Sequence, residues 1–363
     1  MRYTGIIILL VLCLTLLLLT GCIVNAVIAK IAIENIENQE DINQNSNNFQ
    51  SSSTDSVQAP TEQPGTENPQ KWPGLGMFIH EDYEAGSIER DDNSVDILLA
   101  NGFTELRDYL VGYEDPWDLA RAKAAVLRAI AKGAKVIWGV SSNTHKDYAI
   151  TATTWPLYRQ GILDAAQWAQ DNGVFEFGIG NEEESHVDGT TITVAQIITN
   201  LKAVATDVQA IFTNGNISYS CSDYAIPNWI ASGRGDIDIL ASNIYHDGYG
   251  DWKTNITNLV IAFGADHTYL TEFGLSWNDI DDYSTDEAVQ AAGITEMIDY
   301  IKASGMTRAI YFLWYLPGLN FGVLKDDSTY RLLWSQALLN SESVKSITVP
   351  TKTATILLPK PKK

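Results

Sequence analysis

Two short stretches of this 363-residue chain put polar side chains where chemistry would need them. Phe177-Gly-Ile-Gly-Asn-Glu182 is an apolar, β-prone run that stops on Asn181 and Glu182. Thr268-Tyr-Leu-Thr-Glu272-Phe-Gly274 repeats the pattern and stops on one carboxylate with glycine behind it. A strand that ends this way delivers its last side chains to one edge of a sheet. Two carboxyl groups brought to the same edge suit a division of labour in which one gives up a proton and the other, ionised, attacks.

The elements that must position them follow a repeated grammar from Trp72 onward: an apolar β-branched run, a loop, an amphipathic helix, then a glycine before the next run. Gly102, Gly133, Gly173, Gly215, Gly264 and Gly305 hold that last place, where the left-handed backbone of a helix end suits glycine. Helix starts are signalled by Asp115-Pro116 and by the capping-box pattern Ser284-Thr-Asp-Glu287. Strands are expected at 75–79, 103–107, 135–140, 175–179, 217–221, 237–243, 269–272 and 309–314, with a last helix at 328–339. Eight such units over 72–340 predict a closed (β/α)8 TIM barrel, which typically takes about 250 residues. No Gly-x-Gly-x-x-Gly turn follows the first strand, which disfavours an open doubly wound sheet. Active residues of such barrels sit at the C-terminal ends of strands. Strand four offers Asn181 and Glu182, strand seven Glu272, and strand two Arg107, well placed to donate to Glu272.

Gly-Asn-Glu after strand four, with Thr-Glu-Phe-Gly after strand seven, resembles the retaining glycoside hydrolases of clan A, family 5 above all, with families 39 and 53 as near alternatives. The resemblance implies that Glu182 is the general acid/base, Glu272 the nucleophile, and Asn181 the donor to the sugar 2-hydroxyl at subsite −1. It also implies that Tyr245, in Asn243-Ile-Tyr245-His246 after strand six, bonds the nucleophile, and that Trp314, ending strand eight, floors the subsite. Such enzymes hold the two carboxyls about 5 Å apart and need no metal or other cofactor. For either motif alone, a carboxylate at a strand end is more often a helix cap or a surface charge. Their conjunction on strands four and seven favours chemistry. The chain departs from the family pattern at Glu183 and Glu184, where a proline or small group is usual, and at Ser141-Ser-Asn143, where many members carry histidine. His80 and Trp277 are further candidate sugar contacts, and Trp117, Tyr113 and Trp252 lie in loops that could extend an aromatic platform.

Composition bounds the rest. With 45% hydrophobic residues the chain can bury a full core, and a formal net charge of −21 excludes a nucleic-acid partner by repulsion while leaving neutral polysaccharides unaffected. The three cysteines, Cys13, Cys22 and Cys221, supply neither a disulfide framework nor a zinc cluster, and Cys221 reads as a small buried strand residue. Arg2, the apolar run to Leu19 and Leu19-Thr-Gly-Cys22 resemble a lipoprotein signal over 1–21 with lipidation of Cys22. The stretch from Gly5 to Ala29 is also long enough to span a bilayer uncleaved. Residues 22–71 read as a low-complexity tether and 341–363 as a tail without catalytic role. The expectation is a monomeric, surface-tethered, endo-acting β-glycosidase of a polysaccharide. Its competitor is a catalytically inactive barrel that binds glycans.

Overall fold

A computed structural model of the chain describes residues 71–79, 87–108, 110–111, 116–142, 149–246, 248, 250–275, 287–315, 322–325 and 330–342. The expected leader with Cys22, the tether up to residue 70 and the tail from 343 lie outside the described residues, as do 284–286 of the capping-box pattern. Among the described residues no helix is long and apolar enough to cross a membrane.

Strand and helix alternate as β1 (Leu75–Phe78), α1 (Ser87–Ala100), β2 (Glu105–Arg107), α2 (Pro116–Ala131), β3 (Lys135–Ser141), α3 (Trp155–Asp171), β4 (Glu176–Asn181), α4 (Val194–Gln209), β5 (Asn216–Ser222), α5 (Ile226–Ser232), β6 (Ile239–Tyr245), α6 (Trp252–Phe263), β7 (Leu270–Gly274), α7 (Glu287–Ala303) and β8 (Ala309–Tyr311). Every strand pairs in parallel with its neighbour, β8 pairs with β1, and the β2–β3 pairing completes a closed eight-stranded barrel. A two-residue strand, Leu110–Val111, adds to the end of β3. Within the stretch expected as the last helix, residues 332–338 are helical, with π-helical bonding over 334–338, and Trp334 there stacks on Phe103 at 5.3 Å and on Tyr330 at 5.8 Å. Five of the six helix-ending glycines have positive φ; Gly215 does not, and a Cβ there would lie 1.9 Å from the Phe175 carbonyl oxygen. Close backbone approach, not a helix cap, accounts for that glycine.

Parallel strands covered by helices are buried on both faces, so their sequences run nearly continuously apolar. Val136, Trp138, Val140, Phe177, Ile179, Ile217 and Tyr219 face outward into one large cluster with the helices. Cys221 is buried there too. Helix α4 contributes Ile197, Ile198, Leu201, Val204, Ala205 and Val208, none more than 1% exposed, and its larger side chains each add about 1.5–3 kcal/mol on burial. A smaller cluster of Phe78, Ile137, Ile239, Ala241, Tyr269, Ile310 and Leu313 fills the lumen. Below it, at the N-terminal ends of the strands, Arg308 pairs with the fully buried Glu176 and lies 3.3 Å from Glu105, while the Tyr269 hydroxyl donates to Glu176 at 2.6 Å. That charged plug closes the bottom. Above the lumen cluster lie the polar strand ends.

Candidate active site

Alternation along a strand would send Gly178 and Asn181 to opposite faces. The β4–β5 register prevents this. Gly178 pairs with Ser218 and Asn181 with Ser220, so three steps on β4 match two on β5, and the bulge turns Asn181 to the lumen beside Ser220. A second register shift acts on β7, where Leu270 pairs with Ser242 and Glu272 with Asn243. Thr271 and Glu272 both reach the polar network as a result, while Phe273 stays in the outer cluster. Both candidate strands are thus re-aimed by one extra residue just below their functional side chains.

Arg107, at the end of β2 and only 4% exposed, ties these ends together. One guanidinium nitrogen donates to Glu272 Oε1 at 2.7 Å and to the Thr271 carbonyl at 3.2 Å. The other donates to Asn181 Oδ1 at 2.8 Å and to Ser220 Oγ at 3.0 Å. The Tyr245 hydroxyl donates to the second oxygen of Glu272, Oε2. Both Glu272 oxygens therefore receive a donor, one of them a buried guanidinium. Asn243 Nδ2 donates to Asn181 Oδ1 at 3.1 Å and also bonds Glu182, and its own Oδ1 accepts from Thr271 Oγ1 at 2.9 Å.

Glu182 stands one residue beyond β4 in the left-handed backbone region, with φ 59° and ψ 33°, the one non-glycine residue of positive φ among those described. That conformation costs roughly 1–2 kcal/mol and persists only where neighbours enforce it. Here the Glu182 N–H donates to the Ser220 carbonyl at 2.8 Å, and the Glu182 carbonyl accepts from the Ser185 N–H at 2.8 Å. Burial raises the Glu182 carboxyl to a pKa of about 8, the negative charge of Glu272 adds to the rise, and Glu184 and Asp223 act in the same direction. Asn243 opposes them only in part. Glu182 is thus set to hold a proton at neutral pH, in reach of the Glu272 charge.

Glu183 and Glu184, which stand where the family usually has a proline or small group, turn inward, at 0% and 2% exposure. Glu183 accepts from the Ser142 N–H and hydroxyl, the Tyr158 hydroxyl and the Asn181 N–H. Glu184 accepts from the Tyr219 hydroxyl at 2.8 Å and from the Trp229 indole N–H, and burial pushes it up to about 7. Neither inward turn has a signature in the sequence.

Trp314 does not floor the site. It is 2% exposed and packs outward on Trp334 at 5.4 Å and Tyr330 at 5.9 Å. Phe312 and Leu313 both join the lumen cluster, so the alternation is offset and the indole turns away. The ring beside the carboxylates is Phe312, half-buried, edge-on to Tyr245 at 5.8 Å and 5.0 Å from Phe78. Trp252 is likewise buried, between His246 and Tyr300. His80, Tyr113 and Trp277 lie outside the described residues, as does the side chain of Trp117. The sequence reading missed Asn243, Ser220 and Phe312, whose inward parity at a strand end was the available signal for the first two. Among the described residues no group of His, Cys, Asp and Glu is arranged to hold a metal ion.

No family model and no curated protein matches the sequence. Solved structures do. An exo-β-1,4-mannosidase from Opitutaceae bacterium strain TAV5 is similar over 74% of this chain at 11% identity and TM-score 0.59, and the match spans only 59% of that enzyme's length. The catalytic domain of the major endoglucanase from Xanthomonas campestris pv. campestris matches 75% of this chain and 94% of its own at 15% identity and TM-score 0.57. A family 5 xyloglucanase from Paenibacillus pabuli matches 74% and 97% at 14% identity and TM-score 0.54. The likeness to family 5 cellulases and mannanases expected from the strand-end motifs is found in the architecture: this chain has the (β/α)8 fold of those glycosidases.

Proposed function

We propose that the barrel is a retaining glycoside hydrolase that cleaves β-glycosidic bonds of a neutral polysaccharide, with Glu272 as nucleophile and Glu182 as acid/base. The observation that carries the reading is the unequal treatment of two carboxyls in one polar network. Arg107 and Tyr245 donate to both oxygens of Glu272, and burial keeps a proton on Glu182. In the first step a Glu272 oxygen bonds to the anomeric carbon as the bond to the leaving oxygen breaks, and Glu182 gives that oxygen its proton. In the second step Glu182 takes a proton from water, the water oxygen attacks the anomeric carbon, and Glu272 leaves as a carboxylate. Asn181 would hold the 2-hydroxyl and Phe312 would pack on the sugar's C–H face.

The acidic composition suits uncharged glucans or mannans, and the similar structures are those of a mannosidase, an endoglucanase and a xyloglucanase. An endo-acting enzyme tethered outside the cell through its N-terminal segment completes the proposal. Full-length protein screened against dyed glucans, mannans and xylans should release soluble fragments from at least one, with Glu182→Ala and Glu272→Ala each slower by about 100-fold or more. Glycan binding without hydrolysis by the wild type would instead favour an inactive, glycan-binding barrel.

A further inference from the structure

Glu182 holds a left-handed backbone conformation, and the contacts of its neighbour bear on how that backbone is held. We propose that Glu183 is a positioning residue for the acid/base, its side chain folding back past Glu182 to the Asn181 N–H and clamping the end of β4 onto β3 and α3. The inference rests on the function proposed above. It concerns a carboxyl that touches no reacting atom.

The Glu183 carboxyl is fully buried, and Oε1 receives the Asn181 N–H at 3.1 Å, the Ser142 N–H at 3.1 Å and the Tyr158 hydroxyl at 2.5 Å. Ser142 follows the last residue of β3, and Tyr158 lies on the buried face of α3. The bond from residue 183 to residue 181 closes a small ring around Glu182, whose two backbone torsions it restricts. The Glu183 N–H is held as well, by Tyr219 Oη at 2.9 Å. Space for the returning side chain exists because position 180 is glycine: a Cβ there would stand 2.9 Å from Glu183 Cγ and 2.8 Å from the Tyr219 ring. Without the clamp nothing in the Glu183 side chain opposes rotation of residue 182 to an ordinary conformation, which would carry its carboxyl off the leaving-group oxygen.

The four hydrogen-bond partners also bear on which forms of the Glu183 side chain fit. Oε1 has three donors and no room for a proton, whereas Oε2 meets only Ser142 Oγ, a hydroxyl able to accept. Burial raises the Glu183 pKa, and a proton on Oε2 would have the Ser142 hydroxyl as its acceptor. A glutamine amide reproduces that pattern and alanine does not.

The test compares phenyl and 2,4-dinitrophenyl β-cellobiosides and β-mannobiosides on the full-length chain. Dinitrophenolate departs without a proton, and phenolate does not. Glu183→Ala should lower kcat/KM for the phenyl glycoside by about 100-fold and for the dinitrophenyl glycoside by less than about fivefold, with Glu183→Gln recovering most of the loss. Tyr158→Phe and Ser142→Ala, each removing one hydroxyl partner of Glu183, should show the same split at about three- to tenfold. Glu182→Ala is the benchmark. If it shows the leaving-group split while the Glu183, Tyr158 and Ser142 variants slow both substrates equally or not at all, the positioning role is overturned alone. If Glu182→Ala shows no split, the proposed function falls and takes the inference with it.

Discussion

Arg107 donates to Asn181 Oδ1 at 2.8 Å, and Asn243 Nδ2 donates to the same oxygen at 3.1 Å. The carbonyl end of the Asn181 amide is thereby occupied, and its nitrogen is the end left to meet a substrate. Asn181→Ala should then cost about 100-fold in kcat/KM on an aryl β-glucoside and less than about fivefold on its 2-deoxy analogue. Equal losses on the two substrates would remove the 2-hydroxyl contact from the account.

Activity should fall with rising pH through Glu182. The free-enzyme profile of kcat/KM reports the proton-donating group, so its alkaline limb should fall near pH 8, where burial and the Glu272 charge have moved that carboxyl. Glu272→Gln removes the charge and should lower the apparent pKa of the residual activity, or of the Glu182 carboxyl followed by infrared or NMR titration. A carboxyl already ionised at pH 6 would contradict its role as acid.

Much of this site was legible in the chain because its chemistry lies at strand ends, where a short apolar run stopping on a polar residue is visible. Arg107, Asn181, Glu182 and Glu272 stand out that way and Tyr245 through the family resemblance, and the structure gathers them into one network. The two register shifts were not legible, because a bulge depends on how a neighbouring strand pairs. Trp314 was misassigned for a related reason: the offset after Phe312 and Leu313 sends its indole outward, and sequence alone predicts unbroken alternation. The burial of Glu183 and Glu184 is not legible, since nothing local announces the hydroxyls and indole that receive them from the end of β3, α3, β5 and α5.

Stability should also depend on pH between 5 and 7. A carboxyl whose folded pKa lies above its unfolded value binds its proton more tightly when folded. It contributes stability that is complete below about 4.5 and lost as pH rises toward its folded pKa, about 7 for Glu184. Each such group gives a slope of at most about 1.4 kcal/mol per pH unit. His186, half-buried with a lowered pKa, works in the opposite direction, so the difference between wild type and Glu184→Gln is the informative quantity. Urea unfolding at pH 5, 6 and 7 should lose stability less steeply in that variant. Parallel slopes would show that Glu184 is not the titrating group.

The plug at the bottom of the barrel should matter for folding and not for rate. Arg308→Met leaves Glu176, at 0% exposure, without its cation, a change that typically costs about 3–5 kcal/mol. Chemical denaturation should show that loss. Turnover per folded molecule should stay near the wild-type value, because the plug lies across the lumen cluster from Glu182 and Glu272.

The central claim is a covalent bond between Glu272 and a sugar, and trapping addresses it most directly. Full-length protein incubated with 2,4-dinitrophenyl 2-deoxy-2-fluoro β-cellobioside or β-mannobioside should gain the mass of one fluoroglycosyl group. Peptide mapping should locate that group on Glu272 and on no other residue. A protein that hydrolyses the parent glycoside yet never gains the label, or carries it on Glu182 or elsewhere, would contradict the account.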